Sequence, residues 1–196
     1  MHSYAKDYLA EDIGSGDITT DATVPEGHTS RAVIVAKEEG VIAGHPFARD
    51  VFRELDAAFV YEETKRDGES VGKGEIVARL EGKTRAILTG ERVALNLLQR
   101  LCGIATLTRR FVEATGNTGA RILDTRKTSP GHREKEKYAV RMGGGFNHRG
   151  TLGEMALIKE NHIAVAGTIK EAVRRIRSVS AVPIEVEVKN TEELGE

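Results

Sequence analysis

The stretch from Met155 to Val188, MALIKENHIAVAGTIKEAVRRIRSVSAVPIEVEV, decides the fold of the C-terminal part of this chain. The short apolar runs at its two ends, MALIK and PIEVEV, predict strands. Between them, apolar residues recur at helical spacing from Thr168 to about Val179. Strand, helix and strand in this order are typical of a parallel βα unit, in which ligands bind at the carboxyl ends of the strands.

Polar residues follow each predicted strand of this part, including a further strand RILDT at residues 121–125. They are Asp124-Thr125-Arg126-Lys127-Thr128, Lys159-Glu160-Asn161-His162 and Glu185-Val186-Glu187. Glu185 and Glu187 share one face by the two-residue period of a strand, although a parallel strand covered on both faces should be apolar. Two interior carboxylates would need cations, supplied by Arg126, Lys127, Arg149, Lys159 or a metal. The alternative is a sheet edge with one face in water.

The charge is distributed unevenly along the chain. Its 29 basic and 30 acidic side chains give a net charge of −1, but residues 121–162 hold nine basic and five acidic side chains. This segment also contains three of the six histidines and the run Gly143-Gly144-Gly145, where the backbone can approach a ligand or take positive φ. A small polyanionic ligand therefore fits better than a long nucleic acid. For Arg133, Lys135 and Lys137, in a run of alternating sign, we expect only a solvated helix face.

The N-terminal half predicts a mixed α+β domain. Helices are predicted at residues 3–12, 46–55 and 91–114, and strands at 31–37, 58–64, 76–80 and 86–88. Arg92 falls in the first turn of the predicted long helix, where the helix dipole disfavours a cation, so we expect a role other than helix stability. The predicted domains are residues 1–115, with this helix, and 116–196.

Composition excludes several classes of protein. With 196 residues, no Trp, four Tyr and five Phe, the chain offers little for stacking nucleic-acid bases. No apolar run is long enough to span a bilayer, and the N-terminus lacks the apolar core of a signal peptide. We therefore expect a cytoplasmic protein with neither nucleic-acid nor membrane partners. The single cysteine, Cys102, excludes an internal disulfide and predicts a buried helical thiol.

Six sequence blocks in one order resemble the quinolinate phosphoribosyltransferase family. They are EDIGSGDITT at 11–20, ERVALNLLQRLCGIAT at 91–106, DTRKTSPG at 124–131, EKYAVRMGGGFNHR at 136–149, LIKENHI at 157–163 and IEVEV at 184–188. The resemblance implies an N-terminal α/β sandwich followed by an incomplete parallel α/β barrel. It also implies a homodimer whose active sites are shared between subunits.

The implied reaction joins quinolinate to phosphoribosyl pyrophosphate with Mg²⁺ and releases pyrophosphate and carbon dioxide, giving nicotinate mononucleotide for NAD synthesis. By resemblance, the quinolinate pocket contains Arg126, His148, Arg149 and Lys159 from one subunit and Arg92 from the other. Guanidinium groups suit this dicarboxylate because they bind carboxylates bidentately. Lys127 and Thr125 are implied to contact the phosphoribosyl donor, and Glu187 the ribose and the Mg²⁺.

The sequence also departs from the family pattern. NHRGTLGEM at 147–155 differs from the usual glycine-leucine-aspartate sequence after NHR, His132 stands where leucine is common, and later barrel strands with a second acid for the metal are not in these residues. Asn190 and Glu193 predict the start of a helix close to Glu196, so we expect the native domain to continue. Two alternatives remain: a related enzyme for another aromatic acid, or an inactive fragment that only binds ligand or dimerises.

Overall fold

The computed structural model describes residues 4–116 and 118–195, and the chain divides into two compact units. The first unit consists of Met1–Asp124 and Thr128–Asn147, and the second consists of Thr125–Lys127 and His148–Glu196. Each unit is described by itself. The domain boundary near residue 115 stays a prediction.

The first unit contains most of the regular structure. Its elements are α1 (Tyr4–Ile13), α2 (Ile18–Thr23), β1 (Thr29–Val35), β2 (Gly40–Val41), α3 (His45–Leu55), β3 (Val60–Glu63), β4 (Ser70–Val71), β5 (Ile76–Lys83), α4 (Thr84–Thr115) and α5 (Arg133–Met142). Strands β1, β5 and β3 form an antiparallel sheet in that order, and β2 pairs with β4. The main core contains Phe52, whose ring stacks on that of Phe59 with centroids 4.7 Å apart. The N-terminal sheet-and-helix domain expected from the sequence is thus present.

Helix α4 begins earlier than the sequence pattern predicts, and the predicted strand at residues 86–88 is wrong. Strand β5 pairs with β1 as far as Lys83, and the helix begins at the next residue. Gly90, which suggests a boundary in the sequence, lies inside α4. A Cβ at this position would lie only 3.0 Å from Cδ1 of the Phe52 ring in α3. The glycine therefore permits the close approach of α3 and α4.

The early start of α4 also overturns the dipole argument for Arg92. This residue is the ninth of the helix, well beyond the first turn in which the unpaired amides disfavour a cation. Its side chain is exposed. Helix electrostatics consequently give no reason for an arginine at this position.

The expected solvated face of α5 is wrong for two of its three basic residues. Lys137 is 6% exposed and its ammonium pairs with the equally buried carboxylate of Asp124. Lys135 is 4% exposed, with its Nζ 4.1 Å from the ring centroid of Tyr4 in α1. Alternating charge in the sequence cannot show these partners, because they lie on distant segments that packing brings against α5.

The run of three glycines serves close packing in the first unit. A Cβ on Gly143 would lie 2.5 Å from the carbonyl oxygen of Ala105 and 2.6 Å from Cβ of Thr108, both in α4. A Cβ on Gly145 would lie 2.8 Å from Cγ2 of Thr108, and Gly144 has a φ of 89°. The chain can leave α5 against α4 only because these side chains are absent.

The second unit contains a parallel βα unit, as the sequence predicts. Its elements are β6 (Ala156–Ile158), α6 (Glu160–Ala166), α7 (Ile169–Arg177), β7 (Ile184–Val186) and α8 (Thr191–Leu194). Strands β6 and β7 are parallel, with Ile158 beside Val186. The Asn190 side chain accepts from the Glu193 amide and caps α8, as predicted. The predicted strand RILDT is reduced to one bridge in the first unit, between Leu123 and Phe146.

None of the helices in the described residues is both long enough and apolar enough to cross a bilayer.

We predict that Gly143→Ala destabilises the first unit by about 1–3 kcal/mol, because the new methyl group would overlap α4 backbone that cannot move aside. The measurement is the urea unfolding midpoint, with the slope m checked to be unchanged. Gly27→Ala is the matched control, since nothing lies within 4 Å of a Cβ there. Equal midpoints for Gly143→Ala and wild type would contradict the packing role.

Candidate active site

The second unit contains seven of the eight site residues predicted from the sequence. They are Thr125, Arg126, Lys127, His148, Arg149, Lys159 and Glu187. Arg92 belongs to the first unit. The carboxyl ends of β6 and β7 lie at one edge, because parallel strands end on the same side of their sheet. Lys159 and Glu187 follow the two strands at this edge.

Lys159 and Glu187 meet at this edge. Each immediately follows a strand. The Glu187 amide donates to the carbonyl oxygen of Ile158 at 2.9 Å, and this hydrogen bond aligns the carboxyl ends of the two strands. The Lys159 Nζ lies 2.7 Å from Oε2 of Glu187, in an ion pair whose side chains are 48% and 60% exposed. The parallel register therefore converts two positions 28 residues apart into one acid–base pair.

The charge of Glu187 is reinforced by two lysines. The hydrogen bond from Lys159 holds the pKa of the Glu187 carboxyl below its ordinary value, and the charges of Lys159 and Lys127 lower it further. Glu187 is therefore an ionised carboxylate near neutral pH.

A second acid–base pair involves His148 and Glu185. Glu185 lies in β7 beside Leu157 of β6, and its Oε2 is 2.9 Å from Nε2 of His148. The His148 side chain is 16% exposed, whereas that of Glu185 is 52% exposed. The sequence pattern indicates that Glu185 needs a cation, but it does not identify His148 as the partner.

Glu185 in β7 and Glu187 directly after it are not interior groups in the described residues. Both are more than half exposed, because β7 in the described part of the chain pairs only with β6. The alternative of a sheet edge with one face in water therefore describes their environment better. Glu187 has a partner from the expected set of cations, Lys159, whereas the partner of Glu185 is a histidine outside that set.

Backbone contacts orient the remaining cationic loops. Arg149 donates from Nη1 to the carbonyl oxygen of Met155 at 2.8 Å, which ties its guanidinium to the start of β6. The Lys127 amide donates to Oγ1 of Thr125 at 3.0 Å, which forms a local turn. Arg126 between them is partly buried.

The oxygen donors at this edge do not form a magnesium cage. No group of three or more His, Cys, Asp or Glu side chains able to hold a metal ion occurs in the described residues. Glu187, already paired with Lys159, offers one carboxylate. This donor set can contribute a single carboxylate to a Mg²⁺ ion whose other ligands come from elsewhere, a mode that Mg²⁺ commonly uses.

Two family models together match almost the whole chain. The N-terminal domain model of quinolinate phosphoribosyl transferase matches residues 17–102, and the C-terminal domain model matches residues 104–196.

Similar proteins and structures agree with these matches. The chain is 47% identical over 191 residues to a probable carboxylating nicotinate-nucleotide pyrophosphorylase of Bacillus subtilis, covering 96% of this chain and 66% of that protein. It is 45% identical over 190 residues to the carboxylating nicotinate-nucleotide pyrophosphorylase of Mycobacterium leprae, covering 95% and 67%.

Among solved structures, NadC from Streptococcus pyogenes superposes with a TM-score of 0.91 at 39% identity, covering 96% of this chain and 69% of that one. The chain thus spans about two thirds of the length of these relatives, and a fold in which an N-terminal sheet domain precedes part of an α/β barrel is shared with them. On these matches the chain belongs to the quinolinate phosphoribosyl transferase family.

Proposed function

We propose that this chain takes part in phosphoribosyl transfer to quinolinate with loss of carbon dioxide, giving nicotinate mononucleotide for NAD synthesis. One observation carries the proposal: parallel pairing of β6 and β7 sets Lys159 against Glu187, and His148 contacts Glu185 on the same sheet. The edge thus holds both the cations that a dicarboxylate requires and the carboxylates that a cationic sugar requires. The names of the relatives support the same reaction.

Quinolinate is recognised by charge and by planar geometry in this proposal. Arg126, Arg149 and Lys159 supply positive charge, and each guanidinium can hold a carboxylate through two parallel hydrogen bonds. His148 adds a ring that can donate a hydrogen bond or stack. Because Arg149 is anchored to the Met155 carbonyl, less rotational freedom is lost when substrate binds.

The transfer step follows from the same groups. The pyridine nitrogen forms a bond to the anomeric carbon of the donor while the bond from that carbon to pyrophosphate breaks with its electron pair. Glu187 stabilises the positive charge that develops on the ribose, and Lys127 neutralises the leaving pyrophosphate with Thr125 as a further contact. If Mg²⁺ is bound, Glu187 would be the residue that contributes a carboxylate to it, and the ion would supply further neutralisation of negative charge.

Decarboxylation needs no covalent enzyme intermediate. Once the ring nitrogen carries the ribose, the carboxylate on the adjacent carbon departs as carbon dioxide and leaves its electron pair on the ring. The positive nitrogen stabilises this carbanion, which then takes up a proton. The protein is therefore required to position the reactants and to stabilise charge.

We also propose a homodimer with shared active sites, in which Arg92 enters the site of the other subunit. The support is the exposed position of Arg92 in the third turn of α4, where neither helix polarity nor core packing accounts for an arginine.

The first test is direct binding by isothermal titration calorimetry. We expect quinolinate to bind at least about tenfold more tightly than nicotinate, because a second carboxylate gains charge-assisted hydrogen bonds. Arg149→Ala should remove most of this preference. Arg177→Ala is the control, since Arg177 also donates to a backbone carbonyl in the second unit but lies in α7. Tighter binding of nicotinate would favour an enzyme for another aromatic acid.

The second prediction concerns shared sites. Arg92→Ala and Arg149→Ala chains should each bind quinolinate weakly. When an equal mixture of the two is dissociated and reassembled, tight binding should return at about a quarter of the sites. Half of the dimers are then mixed, and each mixed dimer contains one intact site and one defective site. Calorimetric stoichiometry measures this fraction. No recovery in mixtures shown to contain mixed dimers would refute the shared site.

The third prediction follows from the charge of Glu187. The Lys159→Met substitution removes the ammonium that pairs with Glu187. The Glu187 pKa should therefore rise toward the ordinary value of a glutamate, so the carboxyl protonates at higher pH than in wild type. Carbon-13 carboxyl NMR across a pH series measures the shift. Lys189→Met, which removes a longer contact of 3.6 Å to Glu160, is the control. An unchanged Glu187 titration in Lys159→Met would contradict the pairing.

A further inference from the structure

The pair formed by His148 and Glu185 is not explained by the folding of the second unit. Glutamate is depleted in strands, and a side-chain contact whose acid is more than half exposed contributes little to stability. Position 185 lies in β7 beside Leu157, where an apolar or β-branched residue would suit a two-stranded pairing better. A glutamate at this position therefore points to a role in the site.

The contact specifies where His148 carries a proton. A carboxylate only accepts hydrogen bonds, so the Nε2 atom that lies 2.9 Å from Glu185 must be the donor. Such an acceptor fixes both the orientation of an imidazole ring and the nitrogen that is protonated. His148 is 16% exposed, so its ring is also confined by its surroundings.

Glu185 is poorly suited to contact quinolinate itself, because its negative charge would repel both carboxylates of the substrate. It is also separate from the neighbouring pair, since Lys159 binds Glu187 at 2.7 Å. Glu185 in β7 and Glu187 just after it thus have different partners, His148 and Lys159. Any effect of Glu185 on the dicarboxylate must therefore pass through His148.

We propose that Glu185 is a positioning residue that holds the His148 imidazole, with its proton on Nε2, in the orientation that receives the aromatic dicarboxylate. The substrate part of this inference rests on the proposed function. The positioning part rests on the contact alone, and it can be measured without substrate.

The first experiment measures quinolinate binding by calorimetry with a set of variants. Glu185→Ala should weaken binding by about tenfold, in line with the loss of outer partners of ligating histidines. Glu185→Gln keeps an acceptor for Nε2 and should weaken binding by only about threefold, since neutral hydrogen bonds are weaker. Glu171→Ala, which removes the partner of Arg174 and Arg175 on α7, is the matched control and should bind as wild type does.

A double-mutant cycle separates positioning from a general structural effect. In a His148→Ala chain, adding Glu185→Ala should change the quinolinate affinity by less than about twofold, because the residue through which Glu185 acts is already gone. Independent, additive losses in the double variant would overturn the inference. Urea unfolding midpoints of all variants should lie close to wild type, and a collapse in Glu185→Ala would instead assign the residue a structural role.

The second experiment is nitrogen-15 NMR of the His148 ring at one pH, well above the ordinary histidine pKa and without substrate. Wild type and Glu185→Gln should show the tautomer protonated on Nε2, whereas Glu185→Ala should show a mixture. An unchanged spectrum in Glu185→Ala would overturn the positioning role whatever the binding data show. If the spectrum responds but wild type binds no quinolinate, the proposed function fails and the substrate part of this inference fails with it.

Discussion

The parallel pairing of β6 with β7 is the interaction on which the candidate site depends. It sets Ile158 beside Val186, so that Lys159 and Glu187, the residues that follow the two strands, leave the sheet side by side. The amide of Glu187 then bonds the carbonyl oxygen of Ile158 and completes this alignment. A slip of one residue would turn Glu185, and Glu187 after the strand, to the opposite face and separate them from their partners.

In the first unit, the packing of the helices depends on close approach of their backbones at glycine. Helix α4 packs against α3 at Gly90, where a methyl group would crowd the Phe52 ring, and against the end of α5 at Gly143, where it would overlap α4. Small residues at these positions let the long helix serve as the support for the elements around it. Glycine-rich sequence, which is usually associated with ligand approach, here belongs to helix packing.

The electrostatics of the edge combine positive and negative groups, which the proposed reaction requires for its two substrates. The proposed acceptor is a dianion, whereas the sugar becomes positive during transfer. Pairing each glutamate with a base keeps the site from becoming uniformly positive or negative, and the exposure of these pairs leaves them accessible to substrate groups. Such half-exposed pairs contribute little to stability, which is consistent with their being arranged for binding.

The amino-acid sequence alone determined the parallel βα unit, the cap at Asn190, the N-terminal domain of mixed structure and the family, because local periodicity and motif order do not require knowledge of distant contacts. It did not determine the start of α4 at Thr84, the burial of Lys135 and Lys137, the packing role of Gly143 or the partner of Glu185. Each of these depends on residues far apart in the chain. Only tertiary packing decided them, because side-chain burial, steric clearance and charge pairing are fixed by which surfaces meet.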